Sequence, residues 1–241
     1  MTTKFITGDC LDVIREIKKD SIDFIYFNPP YGITPCEYDK KLDWENLWVE
    51  IWRVLTKKGK VAIHASQPFT FDLICSQRKH LKYMWYWKKT ECSPTGHLWS
   101  KHQPMRCNEE ILIFYKKTGT YNPQMILRDI PYHHPGGKNT SEYYNFKNGV
   151  DMIRPPTKNR THNFPIHHLE FKRRKHPFST RPIELCEYFI KTYSNEGEQI
   201  LDLTCSDGQS ALACKKLKRN YIGVDLDPNM IKLCNERMNT V

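Results

Sequence analysis

The sequence of 241 residues lacks the signatures of several protein classes. Its nine cysteines form no C-x-x-C pair and no Cys/His cluster at zinc-finger intervals, so we expect neither a metal site nor a disulfide framework. Apolar residues make up 39% of the chain, but none of their runs is long enough to cross a bilayer, and the amino terminus does not resemble a signal peptide. We therefore expect a soluble, intracellular protein with reduced thiols and no membrane partner.

Acidic residues are scarce relative to basic ones. The chain contains 27 Asp and Glu residues and 37 Lys and Arg residues, which gives a formal net charge of +10. Such a surplus attracts polyphosphate and supplies non-specific affinity for nucleic acid through counterion release. The charge by itself only favours a nucleic-acid partner, because many basic proteins bind none. No internal repeat is evident, and the length suits one α/β domain with an inserted lobe.

The apolar run at residues 22–27 stops at two prolines, Pro29 and Pro30. Proline has no N–H for a sheet ladder, so a strand must end there. Asn28 and Tyr31 are thereby placed at the carboxyl end of a strand, where open α/β sheets bind ligands. Amide and carbonyl oxygens beside an aromatic ring suit a flat heterocycle that carries an exocyclic amine. The oxygens would accept the hydrogens of the amine, and the aromatic ring would stack on the base.

The apolar periodicity predicts alternating strands and helices in two blocks. Strands are expected at residues 5–10, 22–27, 61–65, 83–87, 110–115, 199–202 and 221–225, and helices at 11–17, 44–55, 69–75, 182–193, 209–217 and 228–238. The strand at 110–115 is expected to form a hairpin with that at 83–87 at one edge of the sheet. Between the blocks, residues 118–176 lose the periodic pattern and are rich in Pro, Asn, His and Tyr. They predict a loop-rich insertion without a strong core, either functional or merely a solvated surface.

A nucleoside site is indicated in the second block. Residues 201–208 join a strand to a helix, and the next strand ends at Asp225. A turn followed by a carboxylate that accepts from ribose hydroxyls is the logic of a Rossmann-type site. An ordinary β-α-β unit with a surface aspartate explains the same spacing equally well.

Several motifs together resemble those of one enzyme family. The sequence N-P-P-Y at 28–31 resembles the catalytic motif D/N/S-P-P-Y/F/W of amino-methyltransferases that use S-adenosylmethionine (SAM). H-P-F-S-T-R-P at 176–182, D-L-T-C-S-D-G at 202–208 and G-V-D-L-D at 223–227 resemble the H-P-T-Q-K-P, D-x-x-x-G-S-G and G-[IV]-[ED]-x-D elements of the β-class DNA amino-methyltransferases. G-D-C at 8–10, W-x-K at 87–89 and the segment 108–116 match further elements. The resemblance is closest to small phage-borne adenine-specific enzymes, which would place the protein in the cytoplasm, or in the host cytoplasm if a phage or virus encodes it.

The order of these motifs carries information too. In the permuted arrangement of the β class, the catalytic motif comes first and the SAM motif last, as in this sequence. Glutamine methyltransferases also carry N-P-P-Y but place their SAM loop before that motif. The resemblance implies a circularly permuted, Rossmann-like α/β methyltransferase fold. Residues 1–117 would form the catalytic half, 118–176 an inserted target-recognition lobe and 177–241 the SAM-binding half.

The resemblance also implies roles for individual residues. It implies methyl transfer from SAM to adenine N6 in double-stranded DNA by base flipping, and a homodimer as a family expectation. The catalytic residues would be Asn28, Pro29, Pro30 and Tyr31. The cofactor-binding residues would be Asp9, Cys10, Phe178, Pro182, Asp202, Thr204, Cys205, Asp207, Gly208 and Asp225. The DNA-binding residues would be Lys158, Arg160, Lys172, Arg173 and Arg174.

Two departures from the family pattern keep alternatives open. Asn28 replaces the usual aspartate, as in other adenine enzymes of the N-P-P-Y type. Ser206 and Asp207 stand in the loop that usually reads G-S-G, which removes a glycine and adds a negative charge beside a cationic sulfonium. The alternatives are a cytosine-N4 DNA methyltransferase and a catalytically weak or inactive DNA-binding homologue.

Overall fold

The computed structural model describes residues 1–92, 94–138, 153–174 and 181–240. The chain divides into two compact units, one formed by Met1–Asn122 with His167–Val241 and a smaller one formed by Pro123–Ile166. The strands in chain order are β1 (Thr3–Thr7), β2 (Ile22–Phe27), β3 (Leu55–Ala65), β4 (Leu81–Thr90), β5 (Asn108–Phe114), β6 (Ile126–His134), β7 (Gly137–Lys138), β8 (Ile153–Arg154), β9 (Thr157–Asn163), β10 (His168–Lys172), β11 (Gln199–Asp202) and β12 (Asn220–Asp225). The helices are α1 (Cys10–Glu16), α2 (Trp44–Val54), α3 (Phe69–Ser76), α4 (Ile183–Tyr193), α5 (Gln209–Lys216) and α6 (Pro228–Thr240). Among the helices described, none is long and apolar enough to span a membrane.

The larger unit is built on one eight-stranded sheet. Its strand order is β1-β12-β11-β2-β3-β5-β4-β10. Strand β5 runs antiparallel to both of its neighbours, and the other pairings are parallel. The strand before N-P-P-Y and the strand before the proposed SAM loop are therefore direct neighbours, β2 and β11. This α/β arrangement confirms the predicted fold class.

Strand β2 lies in the centre of the core. Five of its six side chains are buried, and from Phe24 to Phe27 they alternate between the two faces of the sheet. Phe24 and Tyr26 pack on the side of α4, whereas Ile25 and Phe27 pack on the side of α2. A parallel strand with helices on both faces is apolar throughout, which explains the unbroken run in the sequence.

The antiparallel pair of β4 and β5 was predicted, but its place in the sheet was not. Tyr83 pairs with Ile113 and Trp85 with Ile111, as expected for the hairpin. The edge of the sheet is nevertheless β10, which pairs with β4 in parallel. Trp87 Nε1 donates to the carbonyl oxygen of Phe171 at 3.1 Å, which fixes the two strands further.

Strand β10 also changes the boundaries of the insertion. The predicted insertion covers residues 118–176, whereas the compact smaller unit covers Pro123–Ile166. At the C-terminal boundary, the difference arises because β10 pairs with β4 and packs Leu169 and Phe171 against the core of the larger unit. A five-residue strand of this kind leaves little apolar periodicity to detect. At the N-terminal boundary, the N–H of Asn122 donates to the Thr192 carbonyl oxygen at 2.8 Å, which ties this part of the chain to α4.

Polar and aromatic contacts link the two longer strands described in the smaller unit. Its strands β6 and β9 form a two-stranded antiparallel sheet. The guanidinium groups of Arg128 and Arg160 lie 5.2 and 5.4 Å from the ring centre of Tyr132, and both donate to Asn163 Oδ1, at 2.9 and 3.0 Å. Ile126, Leu127 and Ile130 are exposed. Among the described residues of this unit no apolar side chain is buried, so these polar and cation–π contacts link the two strands.

Candidate active site at the carboxyl edge of the sheet

Four neighbouring strands bring the predicted functional residues to one edge. Asp9 follows β1, Asp225 ends β12, Asp202 ends β11 and Asn28 follows β2. The register places Thr7 beside Asp225. Because parallel strands end at the same edge of a sheet, the predicted catalytic and cofactor motifs, far apart in sequence, lie next to each other.

The N-P-P-Y motif is held by its own side chains and by Thr204 of the proposed cofactor loop, residues 202–208. The hydroxyl of Tyr31 donates to Asn28 Oδ1 at 2.7 Å. The hydroxyl of Thr204 donates to the carbonyl oxygen of Asn28 at 2.9 Å. One face of the Tyr31 ring stacks on Phe69, with 5.2 Å between ring centres. These contacts fix the positions of Asn28 and Tyr31. Asn28 Oδ1 keeps a second lone pair that can accept another hydrogen bond.

Asp39 closes the loop that follows this motif. Its carboxylate accepts from the backbone N–H groups of Tyr31, Gly32, Ile33 and Thr34, at 2.6, 2.7, 3.0 and 2.7 Å, and from the Thr34 hydroxyl at 2.7 Å. Partial burial raises the pKa of Asp39, but these hydrogen bonds lower it more, so the pKa lies below its usual value. The sequence analysis missed this residue, since no motif or periodicity singled it out.

The phenol of Tyr31 stays protonated over the whole neutral range. Burial and the nearby Glu109 carboxylate raise the pKa of Tyr31 well above its ordinary value. A protonated phenol can donate to Asn28 Oδ1 and thereby hold the amide in one orientation. The pair therefore acts as a fixed unit.

A buried polar network lies behind the motif and joins three further strands. His64 Nδ1 lies 2.6 Å from Glu109 Oε1, its Nε2 lies 2.9 Å from the Tyr26 hydroxyl, and Lys89 Nζ lies 2.6 Å from Glu109 Oε2. Burial lowers the pKa of His64. Burial raises the pKa of Glu109, but the hydrogen bonds and charges of His64 and Lys89 outweigh it and bring the pKa to about 2. The W-x-K motif at 87–89 and the segment 108–116 were recognised in the sequence, but the contact between Lys89 and Glu109 was not predicted.

In the proposed SAM loop, Ser206 adopts a positive-φ backbone conformation of the kind that glycine favours. Ser206 has φ of 48° and Gly208 has φ of 79°. The Ser206 N–H donates to Asp225 Oδ2 at 2.8 Å, and the Asp227 N–H donates to Asp225 Oδ1 at 3.0 Å. A Cβ at Gly208 would lie 2.9 Å from Cys234 Sγ, so this position requires glycine. The loss of one family glycine therefore leaves the positive-φ conformation in place.

The charge of Asp207 is compensated inside the protein. The side chain is 1% exposed, and its carboxylate binds Arg174 and, at 2.7 Å, Arg237 Nη1. Arg237 also donates to the Asp207 carbonyl oxygen at 2.7 Å. Burial raises the pKa of Asp207, but the two arginines lower it more, so its net displacement is downward. The two cationic groups offset the negative charge that the sequence seemed to add beside the sulfonium.

The remaining cofactor candidates line or support this edge. Asp202 is fully buried, accepts from Ser210 Oγ at 2.5 Å and from the Thr204 N–H at 3.1 Å, and lies 3.7 Å from Arg181. Asp9 caps α1 by accepting from the Leu11 N–H at 2.8 Å. Cys10 and Cys205 are buried, and Pro182 is the N-cap residue of α4. Phe178 lies outside the described residues.

The five DNA-binding candidates fall into two groups. Lys158 and Arg160 belong to β9 of the smaller unit. Lys172, Arg173 and Arg174 end or follow β10 in the larger unit, where Lys172 pairs with Glu91 and Arg174 with Asp207. The structure thus gives Arg174 a structural partner that the sequence did not indicate.

A family model described as DNA methylase, of the N6/N4 type, matches residues 22–236. The chain belongs to this family. DNA adenine methyltransferase YhdJ of Escherichia coli K12 is 25% identical over 258 residues, covering 97% of the chain and 81% of YhdJ. The solved M1.HpyAVI–SAM complex matches with a TM-score of 0.64 at 20% identity, covering 98% and 100% of the two chains. The cytosine-N4-specific PvuII DNA methyltransferase matches with a TM-score of 0.70 at 13% identity, covering 98% and 86%.

This family is SAM-dependent, and the residues at the edge of the sheet fit that cofactor. Each oxygen of Asp225 accepts one backbone N–H and keeps a lone pair for a hydroxyl of the ribose. The loop from Ser206 to Gly208 leaves no room for a side chain at its last position. The protein is thus a SAM-dependent DNA methyltransferase of the N6/N4 family.

Proposed function

We propose that the target of methylation is N6 of adenine in double-stranded DNA. The observation that carries this proposal is the pair of Asn28 and Tyr31, held by a 2.7 Å hydrogen bond beside the cofactor loop. Asparagine at this position is typical of adenine enzymes with N-P-P-Y, whereas S-P-P-Y would favour cytosine N4. The similarity to YhdJ supports the same target.

The target base would leave the duplex to reach this site. Flipping costs a few kcal/mol, and stacking on an aromatic ring offsets part of that cost. Phe69 covers one face of the Tyr31 ring. The opposite face would receive the adenine.

The motif would make the adenine amine a better nucleophile. SAM supplies the methyl group. The lone pair of the amine is delocalised into the ring, so acceptors that hold both amine hydrogens favour a more tetrahedral nitrogen. Asn28 Oδ1 and the Pro29 carbonyl oxygen would be these acceptors. The amide of Asn28 is no general base at neutral pH, so the proton would leave to solvent after methyl transfer.

The cofactor residues divide by the part of SAM that they would contact. Asp225 would accept from the ribose hydroxyls, and Asp9 and Cys10 would lie near the adenine moiety. The methionine part would lie among Asp202, Thr204, Cys205, Asp207 and Gly208, with Phe178 and Pro182 covering it. The positive φ of Ser206 and the pairing of Asp207 with two arginines support a competent loop over an inactive homologue.

Residues outside the site would hold the DNA. Lys158 and Arg160 of the smaller unit, together with Lys172 and Arg173, would contact phosphates or guanine edges. A homodimer remains part of the proposal on family grounds.

Mass spectrometry of nucleosides from cells that express the protein tests the target base. N6-methyladenine should appear with the wild type and disappear with Asn28→Ala and with Tyr31→Ala, while calorimetry shows that both variants still bind SAM. Tyr121→Ala, a tyrosine variant outside the proposed site whose ring lies against Tyr193, is the control and should keep activity. Detection of N4-methylcytosine alone would refute the adenine assignment. Absence of SAM binding by the wild type up to millimolar concentration would leave only the inactive homologue.

A further inference from the structure

In the loop between β4 and β5, residues 94–107 present large apolar side chains to solvent. Leu98 is 94% exposed and Trp99 is 61% exposed, and Met105 near the base of the loop is 42% exposed. Single exposed apolar residues are common, but adjacent Leu and Trp at a loop tip are costly to leave in water without a partner. The tip is therefore a candidate contact surface.

The loop is ordered by its own backbone. Thr95 and Arg106 exchange two backbone hydrogen bonds at 2.8 and 2.9 Å. Gly96 has φ of 101° and turns the chain into the short helical turn that carries Leu98 and Trp99. Within that turn, the N–H of His102 donates to the Trp99 carbonyl oxygen at 2.8 Å. The two apolar side chains are thus displayed by a defined turn.

The loop leaves the sheet at the same edge as the active site. Strand β4 is parallel to β2, because β5 is antiparallel to both β3 and β4. Arg106 Nη1 donates to the Gln67 carbonyl oxygen at 2.9 Å, and Gln67 precedes α3, whose Phe69 stacks on Tyr31. A short chain of contacts therefore links the base of the loop to the catalytic motif.

The charge around the tip identifies the partner class. Residues 92–108 contain no Asp or Glu, whereas His97, Lys101, His102 and Arg106 flank the apolar pair along the sequence. A basic surface with an apolar tip complements a polyanion with stacked bases. A second copy of the chain would bring the same lysine and arginine together across a two-fold axis, which is unfavourable.

We propose that the Leu98–Trp99 tip is a DNA wedge that stacks on the bases exposed when the target nucleotide leaves the duplex. This inference rests on the proposed function, since only an enzyme that flips a base opens such a gap. The tip would lower the cost of flipping by replacing lost base stacking, and Lys101 and Arg106 would neutralise adjacent phosphates.

The test compares wild type with the double variant Leu98→Ala/Trp99→Ala. Methylation of a plasmid with labelled SAM should lose on the order of ten- to a hundred-fold in kcat/KM for DNA, as expected for lost base stacking. SAM affinity by calorimetry and the unfolding temperature should not change, because the tip is exposed. Trp99→Phe should restore most of the activity, and Val49→Ala, which removes a side chain that is 62% exposed on α2, is the control.

A second probe separates this inference from the proposed function. A duplex with one abasic site carries the gap in advance, so the wild type should bind it more tightly than the double variant by a similar factor, whatever base it methylates. Equal affinity, or wild-type kcat/KM in the double variant, overturns the wedge while leaving the methyltransferase proposal intact. A change from dimer to monomer on sedimentation of the double variant would assign the tip to a second copy of the chain and also overturn it. Loss of methylation by the wild type itself would refute the proposed function, and the abasic probe would still decide the wedge.

Discussion

The proposed catalytic loop, residues 28–39, and the proposed cofactor loop, residues 202–208, lie at one edge of the sheet, but they are held in different ways. In the catalytic loop, Asp39 accepts from four backbone N–H groups that lie five to eight residues before it. In the cofactor loop, Asp207 binds two arginines that lie 33 and 30 residues away. The first loop is closed by nearby chain, and the second depends on β10 and α6.

This difference predicts which parts of the protein a substitution in each loop should affect. A change in the catalytic loop should remain local and affect the target base. A change in the cofactor loop should loosen α6, which carries Arg237, and the segment after β10, which carries Arg174. Each of the following variants tests one side of that contrast.

The largest expected effect follows Asp207→Ala. Removing a buried carboxylate leaves Arg174 and Arg237 without their shared partner, which should lower the free energy of unfolding by about 3 kcal/mol and weaken SAM binding. Urea unfolding and calorimetry measure the two effects. Glu187→Ala removes the carboxylate of a more exposed pair with Lys216 and should cost less than about 1 kcal/mol. Equal losses in the two variants would show that the buried pairing is unimportant.

Asp39→Ala should act on catalysis instead. Loss of the hydrogen bonds to residues 31–34 should lower kcat/KM for DNA by about thirty-fold, equivalent to about 2 kcal/mol, through a disordered Tyr31. SAM affinity should stay within about two-fold of wild type, a difference below about 0.5 kcal/mol. Asp72→Ala, which removes an exposed ion pair with Lys41, is the matched control. A parallel fall in SAM affinity would break the contrast between the loops.

Acid should weaken the cofactor loop through Asp207. In the unfolded chain this carboxyl titrates near 3.8, and in the folded protein its pKa is lower. Its contribution to stability is therefore complete above the unfolded value and is lost as the pH falls through the folded pKa. The stability difference between wild type and Asp207→Asn, measured by urea unfolding, should shrink as the pH falls from about 5 toward 3. A difference that stays constant over this range would argue against a charge-based contact.

The smallest effect is expected for Ser206→Gly. Serine at φ of 48° pays a modest conformational cost that glycine avoids, so stability should rise by no more than about 1 kcal/mol, with a similar small gain in SAM affinity. Lys218 has φ of 60° and follows α5, so Lys218→Gly should raise stability by a similar amount without changing SAM affinity. Weaker SAM binding by Ser206→Gly would show that the serine side chain itself contributes.

The N-P-P-Y turn could be located from the sequence because prolines end a strand wherever they occur. The helices around residues 44–55 and 228–238 were predictable for a similar reason, since their apolar spacing is local. Strand β10 was not predictable, because its place depends on pairing with β4, whose partner residues lie more than 80 positions earlier.

The sequence by itself determined the α/β class, the strand ends that carry Asn28 and Asp225, and the family, because these features depend on short motifs and their order. Tertiary structure alone decided that Asp39 closes the catalytic loop, that His64 meets Glu109 and Lys89, and that Asp207 is neutralised by Arg174 and Arg237. These contacts join residues whose separation carries no periodic signal. Which carboxylate meets which cation is set by the packing of β4, β5, β10 and α6, and that packing follows from burial over the whole chain.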